Sequence, residues 1–129
     1  LALRELRYAG INDFRVVVLS YWDFIKDPQV IAQLYPDGFL GWDIEHGGVF
    51  ETSLMLALYP ERVDMERVVD HPPASFPPYD VFPIIPERTP APGTLSSAVG
   101  ASREKGELIL RVCVEGIASA VEEVFNAPS

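Results

Sequence analysis

The sequence contains little that could cross-link the chain or insert it into a membrane. Its single cysteine, Cys113, excludes an internal disulfide and is typical of a reducing, cytoplasmic compartment. Cys113 lies on a helical apolar pattern, which favours a buried structural thiol over a reactive one. No uninterrupted apolar run approaches the ~18 residues of a membrane span.

Positive charge is also scarce. Ten Lys and Arg residues stand against nineteen Asp and Glu, for a formal net charge of −9. This balance argues against nucleic acid or an anionic membrane surface as a partner. A Ser-His-Asp elbow, a Cys-x-x-Cys pair and a phosphate-binding loop are absent from the sequence. These absences exclude several common catalytic classes.

The length and composition suit one globular domain. The chain has 129 residues, of which 48% are hydrophobic, and it shows no internal repeat. The first ten residues include Arg4, Glu5 and Arg7, which predict a helix rather than a signal peptide. Because Leu1 stands in the middle of this helical pattern, we expect the chain to be the C-terminal part of a longer protein.

Four segments have helical periodicity or capping signals. Asp27 is placed to cap the second, Ser102 is placed to cap the last, and Gly10 is placed to end the first. A short amphipathic turn or helix is predicted over Glu61–Val69. The four predicted helices are Leu1–Tyr8, Pro28–Leu34, Gly48–Tyr59, which we expect to be buried on nearly every side, and Arg103–Phe125.

One segment has the composition of a buried strand. Phe14–Trp22 is a continuous run of β-branched and aromatic residues, which is typical of a strand in a parallel sheet. Its position after a helix indicates a layered α/β architecture. Ligands of such sheets lie beyond the C-terminal ends of the strands. Trp22 therefore either lines a pocket or packs beneath a loop.

A proline-rich segment separates the third and fourth predicted helices. Residues 71–92 hold eight of the twelve prolines, which excludes a helix or a central strand there. The segment is either a disordered linker or an ordered arm. Its many apolar residues favour an arm that packs on the body or on a neighbouring subunit. His71, beside Pro72, is interpreted as a surface or structural histidine.

The densest group of reactive side chains lies in Gly41–Ser53. This stretch has the sequence GWDIEHGGVFETS and runs into the third predicted helix. A helix N-terminus can hold an anionic or polarised group, and paired glycines allow close backbone approach. The stretch is thus a candidate for the floor and lip of a site, and an ordinary capped loop is the alternative.

Three side chains of this stretch form a proton-transfer set: Asp43, Glu45 and His46. Histidine ordinarily titrates near pH ~6.5 and can exchange protons near neutrality. Asp43 could hold an N–H-rich substrate, and Trp42 could cover a flat ligand. The Glu45-His46 pair also suits metal binding, but catalytic zinc needs about three protein ligands. Spacing alone leaves these uses open.

The longer run GWDIEHGGVFETSLMLALYP, followed by TPAPGTLSSA and ASREKGELIL, resembles the C-terminal half of the creatininase (creatinine amidohydrolase) family. The resemblance extends to VVVLSYWDF and DHPPASFPPYDVFP and so covers essentially the whole chain. The HGG-x-x-ETS core is shared by the wider family. The chain is therefore expected to be one partial family domain, 1–129, with an arm at 71–92.

The resemblance implies a fold and a reaction. The fold would be a three-layer α/β/α creatininase-like domain with a parallel sheet, here incomplete. The reaction would be the reversible hydrolysis of the cyclic amide of creatinine to creatine. A binuclear centre of zinc and manganese would activate water and polarise the carbonyl. The family's metal-ligand motifs are upstream ones that this chain lacks, so we expect no metal ligand here and no catalysis by this chain alone.

The resemblance also implies roles for individual residues. Trp42 would lie on a flap that closes over the ring, and Asp43 and His46 would contact the substrate. His46 would donate the proton to the ring nitrogen. Trp22 corresponds to a second tryptophan near the pocket, and Glu45 and Glu51 would support the residues that touch the substrate. The subunits would form a homohexamer in the cytoplasm.

Two other functions remain open from the sequence. The substrate could be another amide, such as a formylamino-pyrimidine, although Trp42 and Asp43 favour a flat, guanidino-like ring. Alternatively, the chain could be a non-enzymatic binding or oligomerisation fragment. A metal analysis together with a creatinine hydrolysis assay distinguishes these functions.

Overall fold

The computed structural model describes residues 2–88 and 90–126, so Leu1 of the first predicted helix and Thr89 of the arm lie outside it. The described residues form four α-helices: α1 (Ala2–Tyr8), α2 (Pro28–Leu34), α3 (Val49–Leu58) and α4 (Arg103–Asn126). Five short 3₁₀ turns occur between them, at Tyr21–Phe24, Trp42–Ile44, Pro60–Arg62, Met65–Arg67 and Pro86–Arg88.

The predicted helix ends are confirmed by their capping contacts. The Asp27 carboxylate accepts a hydrogen bond of 2.8 Å from the backbone N–H of Gln29 at the start of α2. The Ser102 hydroxyl accepts one of 3.2 Å from the N–H of Lys105 at the start of α4. Gly10 follows α1 with a φ of 71°, a left-handed conformation that glycine adopts without steric cost.

Helices α3 and α4 pack directly against each other and carry most of the core. Ser53 on α3 is fully buried, and its hydroxyl accepts a hydrogen bond of 3.1 Å from the N–H of Ser102. The Cys113 thiol on α4 is buried and donates to the carbonyl of Tyr21 at 3.3 Å, which confirms the structural thiol. Burial raises the pKa of this thiol. The buried cluster contains Ile25, Leu34, Phe50, Ile109 and Cys113.

The predicted strand over Phe14–Trp22 is wrong in this structure. The described residues form no strand, and the last part of the run is the 3₁₀ turn Tyr21–Phe24. Residues 16–19 make no backbone–backbone hydrogen bond within the described chain. Val18 is 74% exposed, so the run is not buried on both faces either. A strand requires a neighbour for its ladder, and the described chain supplies none, so the expected parallel sheet is not seen.

The surface is large for the mass. The accessible area is 9628 Å², whereas a folded monomer of 14.3 kDa exposes about 6,800 Å². Helix α3 contributes to this excess, because Met55 and Leu58 are exposed. The prediction that this helix is buried on nearly every side is therefore wrong, and its buried residues belong to the first half.

The proline-rich segment is hydrogen-bonded to the body near its start. The N–H of Ala74 donates to the carbonyl of Leu95 at 2.8 Å. Farther along, Tyr79, Phe82 and Ile84 are all exposed. The segment is thus an ordered arm at its base, and its contact with another subunit stays a prediction. Within the described ranges, no helix has the length and apolar character needed to cross a membrane.

Candidate functional site

An aromatic cluster lies at the start of α3. Phe50, in the first turn of the helix, stacks on Tyr21 with ring centroids 5.8 Å apart and meets the edge of Trp42 at 5.1 Å. Tyr21 in turn meets the edge of Trp22 at 5.1 Å. The two 3₁₀ turns and α3 thus bring the two predicted tryptophans into one aromatic wall, which could contact a flat ligand.

Tyr21 and Phe50 were not among the predicted site residues. Both were visible as aromatics beside predicted ones, since Tyr21 precedes Trp22 and Phe50 lies within the GWDIEHGGVFETS stretch. Their contact joins positions that are 29 residues apart, which no local pattern reveals. A second branch of the wall runs from Trp42 to Phe39, whose ring centroids are 4.6 Å apart.

The N-terminus of α3 is capped by two carboxylates of the chain itself. Glu45 accepts a hydrogen bond of 2.8 Å from the N–H of Phe50, and Glu51 accepts one of 2.5 Å from the N–H of Gly47. The Thr52 hydroxyl also donates to the carbonyl of Gly47 at 3.3 Å. Two of the N–H groups at this end of the helix, those of Gly47 and Phe50, are thus occupied by carboxylates of the chain.

Glu45 is half-buried behind the aromatic wall. The hydroxyl of Ser96 donates to its carboxylate at 3.4 Å. Burial raises the pKa of Glu45, and the hydrogen bond from Phe50 N–H opposes that increase. The pKa of Tyr35 is also raised, first by burial and then by the Glu45 charge. The buried Tyr35 hydroxyl lies beside the Glu45 carboxylate.

Glu45 and Tyr35 line a cavity of about 240 Å³ beside the candidate site. Its wall also contains Gly41, His71 and Lys105. Residues 35–41, which lead into Trp42, form much of this wall. Glu45 therefore faces a space next to the aromatic wall, and its supporting role stays a prediction.

Replacing Glu45 with glutamine is expected to reduce the pH dependence of folding stability. Burial raises the pKa of Glu45 in the folded state above its ordinary value of 4.5. The contribution of this carboxyl to folding stability is therefore fully present below pH 4.5. The contribution is lost as the pH rises through the folded-state pKa. Glutamine stays neutral and keeps an oxygen for the Phe50 N–H. Glu45→Gln should therefore gain stability relative to the unsubstituted chain between about pH 4 and pH 7.

Urea unfolding midpoints of both proteins across this pH range measure the effect. Glu107→Gln is a matched control, because Glu107 forms an exposed ion pair with Arg103 on α4. The control should show little of the pH-dependent difference. A constant stability difference between Glu45→Gln and the unsubstituted chain at all pH values would contradict the prediction.

His46 lies at the exposed rim of the stretch. Its side chain is 68% exposed, and its Nδ1 is 3.8 Å from a carboxylate oxygen of Glu51. That distance allows attraction to a protonated ring but is longer than a hydrogen bond. Asp43 is also exposed, and its carboxylate is folded back over Gly41, where a Cβ would lie 2.5 Å from it. The His46 imidazole is thus accessible to a ligand.

The structure joins several of the predicted site residues. Trp22 and Trp42 share the aromatic wall, and His46 lies near Glu51. The Asp43 carboxylate lies over Gly41. That Trp42, Asp43 and His46 contact one substrate stays a prediction.

The described residues do not form a metal centre. In residues 2–88 and 90–126, no group of three or more His, Cys, Asp or Glu side chains is placed to hold a metal ion. The Glu45 carboxylate is already bound to Phe50 N–H and Ser96, and the His46 side chain is exposed. The two-residue Glu45-His46 arrangement therefore does not fit a metal on its own.

The chain is similar to proteins of known activity. The family model described as "Creatininase: Creatinine amidohydrolase" matches residues 1–121. A curated "Creatinine amidohydrolase" from Pseudomonas putida is 82% identical over 125 residues, which cover 97% of this chain and 48% of that protein. The chain therefore spans about half the length of the curated relative that it matches.

Solved structures give the same result for the fold. A glutamate-to-glutamine mutant creatininase complexed with creatine is 81% identical, with a TM-score of 0.89 over 98% of this chain and 50% of that chain. A structure described as "Creatininase Mn" has the same identity and TM-score, over 98% of this chain and 49% of that chain. A mutant creatininase of "Zn-Zn type" also has a TM-score of 0.89, at 81% identity and the same coverage.

Proposed function

Because the chain belongs to the creatininase family, we propose that it forms the substrate-binding wall and proton donor of an enzyme that interconverts creatinine and creatine. The observation that carries this proposal is the 82% identity to a curated creatinine amidohydrolase over nearly the whole chain. The aromatic wall supports it, because creatinine is a flat ring and aromatic side chains bind such rings by stacking and edge contacts.

In this proposal, each residue of the stretch has one task. Trp42, supported by Phe50, covers the ring, and Trp22 extends the same wall. Asp43 accepts hydrogen bonds from the guanidino-like N–H groups. His46 donates a proton to the ring nitrogen as the amide bond opens, and it takes a proton back in the reverse reaction.

Glu51 and Glu45 support these residues without touching the substrate. Glu51 lies 3.8 Å from His46 Nδ1 on one side of the ring, which leaves Nε2 for the substrate. The same carboxylate holds the N–H of Gly47. Glu45 fixes the first turn of α3 through Phe50 N–H and so keeps the Phe50 ring in the aromatic wall.

Zinc and manganese are proposed as cofactors of the whole protein, and the described residues are not proposed as their ligands. One related structure is described with Mn and another with Zn-Zn. The described residues offer no suitable ligand set, so residues outside this set would have to hold the ions.

The proposed assembly is a homohexamer in the cytoplasm. The exposed apolar side chains of the arm, including Phe82 at 96% exposure, support contact with another subunit. The single buried thiol, Cys113, supports a reducing compartment. The small-molecule substrate remains the principal partner, with no role for nucleic acid or membrane in view of the net charge of −9.

A chimeric enzyme tests the proposed activity. This chain is joined to the N-terminal half of the 82%-identical Pseudomonas putida relative, at the start of the matched region. The chimera is expected to hydrolyse creatinine and to bind metal, whereas the 129-residue chain alone is expected to do neither. Creatine formation and metal content per chain are the measurements.

The unaltered relative is the control for this experiment. If the chimera hydrolyses another cyclic or acylated amide but not creatinine, that amide would replace creatinine as the proposed substrate. A folded, metal-loaded chimera with no hydrolase activity would overturn the enzymatic proposal. Activity with about two metals in the 129-residue chain would overturn the proposal that its metals are held elsewhere.

A further inference from the structure

His71 connects the base of the proline-rich arm to the segment that faces the candidate site. Its Nδ1 is 2.8 Å from the carbonyl oxygen of Pro72, and its Nε2 is 2.8 Å from the hydroxyl of Thr94. Because a carbonyl oxygen can only accept, Nδ1 carries the proton. In the neutral ring, Nε2 then accepts a hydrogen bond from the Thr94 hydroxyl.

Segment 94–96 contacts three consecutive residues of the site. The N–H of Leu95 donates to the carbonyl of His46 at 2.8 Å, and the Ser96 hydroxyl donates to Glu45 at 3.4 Å. The methyl group of Thr94 packs so closely on Gly47 that a Cβ there would lie 2.5 Å from it. The backbone that carries the His46 imidazole is therefore held from one side by this segment.

The arm holds the same segment from the other side. Ala74, the residue directly after the two prolines that follow His71, donates through its N–H to the carbonyl of Leu95 at 2.8 Å. Leu95 thus donates to the site through its N–H and accepts from the arm through its carbonyl. His71 adds a side-chain contact one residue earlier, at Thr94.

We propose that His71 is a positioning residue, which orients His46 through Thr94 and Leu95. The proposal rests on the proposed function only in that His46 is taken as the proton donor. The His46 side chain is 68% exposed, and its described side-chain contact is Glu51 at 3.8 Å. Its direction is consequently set mainly by the backbone at residues 46 and 47. His71 thus acts on the reaction without touching the substrate.

The test uses hydrogen exchange and histidine NMR signals in this chain. Thr94→Val removes the hydroxyl at nearly constant volume, and Thr94→Ser keeps it as the matched control. Thr94→Val should speed exchange of the Leu95 amide about fivefold, the effect expected for loss of one hydrogen bond. It should also shift the ring signals of His46. Thr94→Ser should restore both toward the unsubstituted chain.

A double-mutant cycle separates positioning from general destabilisation. His71→Ala breaks the same contact as Thr94→Val, so the effects on Leu95 exchange and on the His46 signals should not add in the double variant. Additive effects, or unchanged His46 signals in folded Thr94→Val, would overturn the proposal. Because these measurements need neither substrate nor metal, they test the role of His71 independently of the chimera. An inactive chimera would refute the proposed function but would not decide the role of His71.

Discussion

Replacing His46 with alanine is expected to reduce the kcat of the chimera for creatinine by about 10²–10⁴-fold, the range for loss of a general acid–base group. The physical reason is that the leaving ring nitrogen must be protonated as the amide opens. The exposed imidazole of His46 can supply that proton, and the Glu51 carboxylate lies beside it at 3.8 Å. Steady-state kinetics with creatinine, in both directions, measure the loss.

Metal content decides how that loss is interpreted. A His46→Ala chimera that keeps its metals but loses kcat agrees with a proton-transfer role. His46→Gln is the matched control for hydrogen bonding, because an amide can donate a hydrogen bond but cannot shuttle a proton at neutral pH. Recovery of activity in His46→Gln, or loss of metal in His46→Ala, would rule out His46 as the proton donor.

Replacing Gly106 with alanine is expected to lower the free energy of unfolding by about 3 kcal/mol, at the high end of the usual cost of overpacking. An added Cβ would lie 2.0 Å from the Ser53 carbonyl oxygen and 2.7 Å from its carbonyl carbon. Both atoms are backbone atoms of α3 and cannot rotate away. The helices would have to separate, although alanine itself favours a helix by about 1 kcal/mol.

Gly116 offers a control in the same helix. A Cβ at Gly116 would also be close to its nearest neighbour, at 2.5 Å, but that neighbour is the ring of Phe24. A side chain can rotate, so Gly116→Ala should cost much less than Gly106→Ala. Urea unfolding of the two variants provides the comparison. Equal losses of unfolding free energy in the two variants would mean that the close approach of α3 and α4 does not determine the cost of Gly106→Ala.

The close approach of these helices also matters for the site. Ser53, which faces Gly106, is one helical turn after the first turn of α3, where Phe50 joins the aromatic wall. Separation of α3 from α4 would move Phe50 relative to Tyr21, which is tied to α4 through Cys113. Gly106→Ala in the chimera should therefore affect substrate binding as well as stability.

Helices could be predicted because their signals are local. Asp27 caps α2 and Ser102 caps α4 through contacts spanning two or three residues. Hydrogen bonds of this kind depend only on neighbouring sequence, so a pattern reveals them. The strand prediction over Phe14–Trp22 failed because a ladder needs a partner segment, and the described chain has none for residues 16–19.

The sequence by itself determined the family, the helices and the chemical character of the candidate site. The 82% identity and the Trp42, Asp43 and His46 motif are properties of residue order alone. Capping, helical periodicity and side-chain chemistry act over a few residues, so the printed sequence is sufficient for them.

Only the tertiary structure decided which distant residues meet. It placed Tyr21 on Phe50, fastened Thr94 to His71, and directed the carboxylates of Glu45 and Glu51 to the start of α3. Contacts between residues far apart in sequence depend on how the chain closes on itself and on which buried polar groups find partners. Those are properties of the packed molecule, and a linear pattern does not contain them.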